Sequence, residues 1–131
     1  NHKLELQYSQ QYIKELHIAT PDENKRVIFL SGGNQQKIVV AKWLMSDSEV
    51  IILDEPTRGI DVGAKREIYE LINDLARAGK AVIVISSDME EVLGISDRIA
   101  VMHEGRIAGM VEKKDFSQQI ISEYAIGGAK L

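Results

Sequence analysis

The sequence predicts an α/β fold built on parallel strands, with a hairpin and a helix after them. Three observations carry this. Val50-Ile51-Ile52-Leu53 is an unbroken apolar run between turn residues, and Ala81 to Ile85 repeats the pattern. Between them, near residues 63–78, Ile68, Leu71, Ile72 and Leu75 recur at helical spacing. Strand, helix, strand in that order is a βαβ unit, in which the helix returns the chain so that the strands lie parallel, with a right-handed crossover.

The elements follow in order. Residues 8–18 place Tyr8, Tyr12, Ile13 and Leu16 on one helical face, and Thr20-Pro21 closes the segment. Asp22 to Arg26 is a polar connector. Leu30-Ser31-Gly32-Gly33 opens a second helix that runs to about Met45, and Ser46-Asp47-Ser48 ends it. The two apolar runs read as strands buried on both faces, since a strand with one wet face would alternate. Gly79 stands where a helix C-cap belongs. A short helix is expected over Met89 to Leu93. Arg98 to Met102 and Arg106 to Val111 flank Glu104-Gly105 as a hairpin, and residues 115–126 form a final helix.

Composition narrows the function. The chain has 131 residues, enough for one domain with a core, and its 44% hydrophobic and 27% charged content is that of a soluble globular protein. Sixteen basic against 20 acidic residues leave a formal charge of −4, with no basic footprint for a dedicated nucleic-acid binder. The absence of cysteine excludes disulfides and thiolate metal sites, and fits a reducing compartment. The apolar runs are far shorter than the ~20 residues of a membrane helix, so membrane contact would require a partner. The chain begins at Asn1 rather than Met and shows no signal peptide, so a segment of something longer is expected.

Four constellations could carry chemistry. Leu30 to Lys37, Leu-Ser-Gly-Gly-Asn-Gln-Gln-Lys, puts a serine and two glycines at a helix start. Unpaired N–H groups there favour an anion, and the glycines let a phosphate approach. The plainer reading is a helix capped by Ser31. Asp54-Glu55-Pro56 follows the first strand, at the strand end where ligands collect in open α/β sheets. Asp54 suits a residue that holds Mg²⁺ through water, and Glu55 a general base for an attacking water. The alternative is a strand ending in solvated charge. Thr57-Arg58-Gly59-Ile60-Asp61 reads as a turn with Asp61 near a helix start, and Ser86-Ser87-Asp88 as a helix cap. Ser31 and Asp54 lie 23 positions apart, room for one helix, a turn and a strand.

In that order, the motifs resemble those of the ATP-binding-cassette ATPases. Leu30 to Gln35 is similar to the family's signature, Leu53-Asp54-Glu55-Pro56 to its Walker B, and Gly59-Ile60-Asp61 to its D-loop; the likeness spans roughly residues 8–112. Leu-Ser-Gly-Gly-Asn-Gln-Gln-Lys and Thr-Arg-Gly-Ile-Asp-Val-Gly-Ala-Lys resemble more narrowly the second nucleotide-binding half of fused ATPases that drive bacterial monosaccharide importers. The resemblance implies a partial P-loop NTPase core over residues 30–131, with residues 1–29 ending the helical subdomain. It implies ATP and Mg²⁺, with Asp54 toward the metal and Glu55 catalytic. Ser31, Gly32, Gly33, Asn34, Gln35, Asp61 and Ser87 would lie at nucleotide.

The departures from the family pattern are as informative. No stretch matches Gly-x-x-x-x-Gly-Lys-Ser/Thr, so the phosphate loop is expected outside this chain, and the segment alone is expected to be inactive. Ser87 stands where the family carries its switch histidine. The implied partners are a first nucleotide-binding half, a transmembrane permease and a periplasmic or extracellular sugar-binding protein reached through it, at the cytoplasmic face of a bacterial inner membrane. A sheet lacking its neighbouring strand should expose an edge or an apolar face, so self-association is expected. The alternative is a non-transport relative acting on nucleic acid or the ribosome.

Overall fold

The computed structural model describes residues 2–46 and 48–128, and the chain divides between Ile85 and Ser86 into two compact units. Asp47, expected to help end the second helix, lies outside the described residues.

The first unit opens with α1 (His2–Glu15), which starts six residues before the expected segment. It stops in a Schellman arrangement: His17 takes φ +50° while Ile18 N–H donates to Ile13 O at 2.9 Å and His17 N–H to Lys14 O at 3.3 Å. After a connector and one 3₁₀ turn comes α2 (Gly32–Leu44), whose limits match expectation. Leu16, Ile18 and Ala41 form a small core with Tyr12, Ile13, Leu30, Ile38 and Leu71 against it.

β1 (Val50–Asp54), α3 (Val62–Arg77) and β2 (Ala81–Ile85) are the expected βαβ unit, with β1 and β2 parallel from Val50↔Ala81 to Asp54↔Ile85. α3 packs on α2 and on β2, and buries Ile68, Ile72 and Leu75. Gly79, at φ +88°, closes α3 as expected: Lys80 N–H donates to Leu75 O and Gly79 N–H to Ala76 O.

The expectation of strands buried on both faces is overturned. Ile51 and Leu53 are buried, but Val50 and Ile52 are 54% and 60% exposed, and Ile83 and Ile85 of β2 about half. Paired residues of parallel strands share a face, so Val50, Ile52, Ile83 and Ile85 form one apolar surface, with Asp54 at its end. No layer of the described residues covers it. An apolar side chain reads the same in sequence whether or not its cover is present.

In the second unit, α4 (Met89–Ile95) precedes β3 (Arg98–His103) and β4 (Arg106–Glu112), an antiparallel pair turning at Glu104 and Gly105 with φ +45° and +77°. The register slips between Val101 and Met102, which leaves Ala108 as the extra residue of a bulge. One further 3₁₀ turn leads to α5 (Gln118–Ala125), shorter than expected. Ile121 of α5 meets Ile99, Val101 and Val111 of the hairpin.

Candidate functional site

The signature-like residues gather at the start of α2. Ser31 is the N-cap residue by position, with φ −61° and ψ 156°, yet its side chain accepts no N–H of the helix. The plain expectation of a serine-capped helix therefore fails in its side chain. Instead Ser31 Oγ accepts from Asn34 Nδ2 at 2.8 Å, and Asn34 Oδ1 accepts from Ala19 N–H at 2.7 Å. Gln35 Nε2 donates to Leu30 O at 2.8 Å. The two amide side chains thus brace the loop that leads into the helix. No acidic residue occupies the first turn, so the partial positive charge of this helix end is left uncountered from within.

Close packing demands a glycine at position 33 but not at position 32. A β-carbon on Gly33 would lie 2.7 Å from Ala64 Cβ in the first turn of α3, nearer than carbons approach. One on Gly32 would lie 3.8 Å from Gly59 O and 3.9 Å from Ile60 Cγ1, an ordinary contact. The structure therefore brings the signature-like and D-loop-like segments side by side. Asp61 caps α3, accepting Ala64 N–H at 3.0 Å, which is the helix-start role its position suggested.

Asp54 ends β1 exposed, on the uncovered apolar face. Glu55 has φ +46°, a left-handed conformation that costs a non-glycine residue energy, and its N–H donates to Ile85 O at 2.8 Å. Extending the ladder one residue past β1 holds that turn in place. Pro56 and Thr57 behind it are buried, so the two carboxylates stand on a rigid base.

Ser87 lies in the second unit, exposed in the bend between β2 and α4. Its neighbours form the expected cap: Asp88 Oδ1 accepts from Glu90 N–H and Glu91 N–H, and Ser86 Oγ accepts from Asp88 N–H and donates to buried Glu91. Acids fill this helix start, unlike that of α2.

Sequence reading missed Lys37. It is 5% exposed on the packed face of α2, pairs with Glu67 of α3 at 2.7 Å and donates to His17 O at 3.0 Å. A lysine among buried Gly33, Val40 and Ala41 was the available signal. A groove of about 310 Å³ between α1, the connector and α2, lined by Tyr8, Tyr12, Ile13, Val27, Ile38 and Met45 among others, holds none of the expected site residues.

Among the described residues no group of three His, Cys, Asp or Glu side chains could cage a metal.

Residues 5–58 match the family described as ABC transporter. The chain is 60% identical over 116 residues to the ribose import ATP-binding protein RbsA of Clostridium perfringens, covering 88% of this chain and 23% of that protein. It is 56% identical over 128 residues to the xylose import ATP-binding protein XylG of Thermoanaerobacter pseudethanolicus, covering 98% of this chain and 25% of that protein. The chain thus spans about a quarter of the length of the curated relatives it matches. Among solved structures, a nucleotide-free ATP-binding cassette from an ABC transporter superposes with TM-score 0.73 at 21% identity, over 90% of this chain and 48% of that one. A dimeric cassette in a post-hydrolysis state, bound to ADP and Pi, gives 0.70 at 23%, over 84% and 47%. At such identities the likeness is one of fold. By its family match over residues 5–58 and by its relatives, this chain belongs to the ATP-binding-cassette (ABC) transporter family.

Proposed function

We propose that this chain is part of the ATP-binding subunit of an importer that couples ATP hydrolysis to sugar uptake, and that it works by completing a nucleotide site on a partner half. The start of α2 carries the reading: an exposed serine that does not cap its own helix, an exposed Gly32 beside the buried Gly33, and no acid in the first turn. Such an end suits the phosphates of a nucleotide presented from outside this chain. The names of the relatives, ribose and xylose import ATP-binding proteins, support a sugar as cargo.

In this reading the residues divide their work. Ser31, Gly32, Gly33, Asn34 and Gln35 serve the hydrolysing site of the first nucleotide-binding half, and Asp61 holds the adjoining helix start. Asp54 and Glu55 belong to a second, weak or regulatory site. There Asp54 would hold Mg²⁺, which when bound neutralises phosphate charge. Glu55 would accept a proton from the attacking water. A serine at 87 cannot supply the imidazole that the family places there, which is why this second site is the weaker one. The phosphate loop would come from residues outside this chain, so residues 30–131 act as the rear of a core and 1–29 as the end of a helical subdomain. A permease and an extracytoplasmic binding protein would select the solute, with the subunit on the cytoplasmic face of the membrane.

The test uses the full-length subunit assembled with its permease in vesicles. Ser31→Arg, which fills the α2 start with a bulky cation, abolishes uptake and ATP hydrolysis. Glu55→Gln lowers them far less. Equal losses from the two changes would refute the asymmetry.

A further inference from the structure

We infer that Asn34 sets the direction of the Ser31 hydroxyl, so that its proton is offered to the oxyanion that the start of α2 receives. The inference rests on the reading of Ser31 given above and names what makes that serine a donor.

The geometry leaves one hydrogen-bond assignment. A backbone N–H can only donate, so the Asn34 atom 2.7 Å from Ala19 N is the carbonyl oxygen Oδ1. The other arm of the carboxamide is then Nδ2, which can only donate, and it meets Ser31 Oγ at 2.8 Å. Ser31 therefore accepts from Asn34, and its own proton is not used in that bond. Nor does the side chain serve the helix start. Ser31 is exposed, so the hydroxyl reaches what approaches α2 from outside. A phosphate oxygen is an acceptor, and a hydroxyl bonds it only by donating. Accepting a bond from Asn34 also polarises the O–H and strengthens that donation. A carboxamide turned the other way would take the Ser31 proton and present lone pairs to the anion.

The fixed point is distant in sequence. Ala19 lies 15 residues before Asn34, in the connector that follows the left-handed turn at His17. Asn34 is thus a positioning residue, through which the connector after α1 governs a hydroxyl at the start of α2.

A double-mutant cycle tests this in the full-length subunit with its permease, reading kcat/KM for Mg²⁺-ATP. Loss of one hydrogen bond to a charged group predicts a roughly 10- to 100-fold fall for Ser31→Ala. Asn34→Ala alone should cost about tenfold, and on a Ser31→Ala background less than about twofold, because its effect runs through the missing hydroxyl. Asn34→Asp keeps an acceptor for Ala19 N–H and so keeps the fold, but takes the Ser31 proton; its loss should likewise shrink on the Ser31→Ala background. If Asn34→Ala does not fold, Asn34→Asp carries the cycle. Losses that multiply instead would make Asn34 merely structural, and a wild-type rate for Asn34→Asp would also overturn the inference. If Ser31→Ala itself has no effect, the reading of Ser31 fails; if Ser31→Ala is damaging and the Asn34 variants are not, only the inference fails.

Discussion

Gly33→Ala probes the contact that holds the start of α2 against α3. The new β-carbon would stand 2.7 Å from Ala64 Cβ, about 1 Å inside the ~3.5–4.0 Å at which carbons rest. Gly33 is buried, and both atoms belong to first helical turns, so neither can swing away as a long side chain would. Overpacking of this kind costs about 1–3 kcal/mol. Against it stands the gain from replacing glycine by alanine in a helix, at most about 1 kcal/mol. The expected net loss is about 1–2 kcal/mol. Ala64→Gly removes the obstructing methyl and alone costs about 1 kcal/mol of helix propensity. The double variant should then be at least as stable as Ala64→Gly, a coupling of about 1–2 kcal/mol for residues in direct contact. Urea titration followed by circular dichroism measures all four corners, with constant m as the check on two-state behaviour. Gly33→Ala as stable as the parent, or more so, would refute the reasoning, because the propensity gain would then stand unopposed.

Two further outcomes follow from burial. The Lys37 side chain is 6% exposed and that of its partner Glu67 58%, so Glu67→Gln, which strands a buried ammonium, should cost about 1–3 kcal/mol. Lys37→Met keeps the buried stem and leaves a carboxylate that water can solvate, so it should cost under about 1 kcal/mol by the same titration; the reverse order would refute the ion-pair account. Ile83→Lys, on the uncovered face of β2, should leave stability within about 1 kcal/mol and suppress any concentration-dependent association seen by light scattering. A loss of several kcal/mol there would mean that the face is packed.

What the sequence determined by itself was local. The βαβ order, the glycine cap at Gly79, the Asp61 cap and the Glu104-Gly105 hairpin turn follow from periodicity and from side chains or φ values that only certain residues supply. The signature-like and strand-end motifs were legible for the same reason, as short strings of defined chemistry. Contacts between segments, by contrast, depend on how the chain packs. Asn34 meets Ala19 across 15 residues and Lys37 meets His17 across 20, while Gly33 meets Ala64 in another helix. A residue's type states that it needs a donor, an acceptor or a close neighbour, but not which part of the chain provides it. His17 as a left-handed cap was hidden because nothing in its chemistry demands φ +50°. The half-bare strands show the same limit: Val50, Ile52 and Ile83 announce that a cover is needed, and only the arrangement of the other elements decides whether this chain provides it.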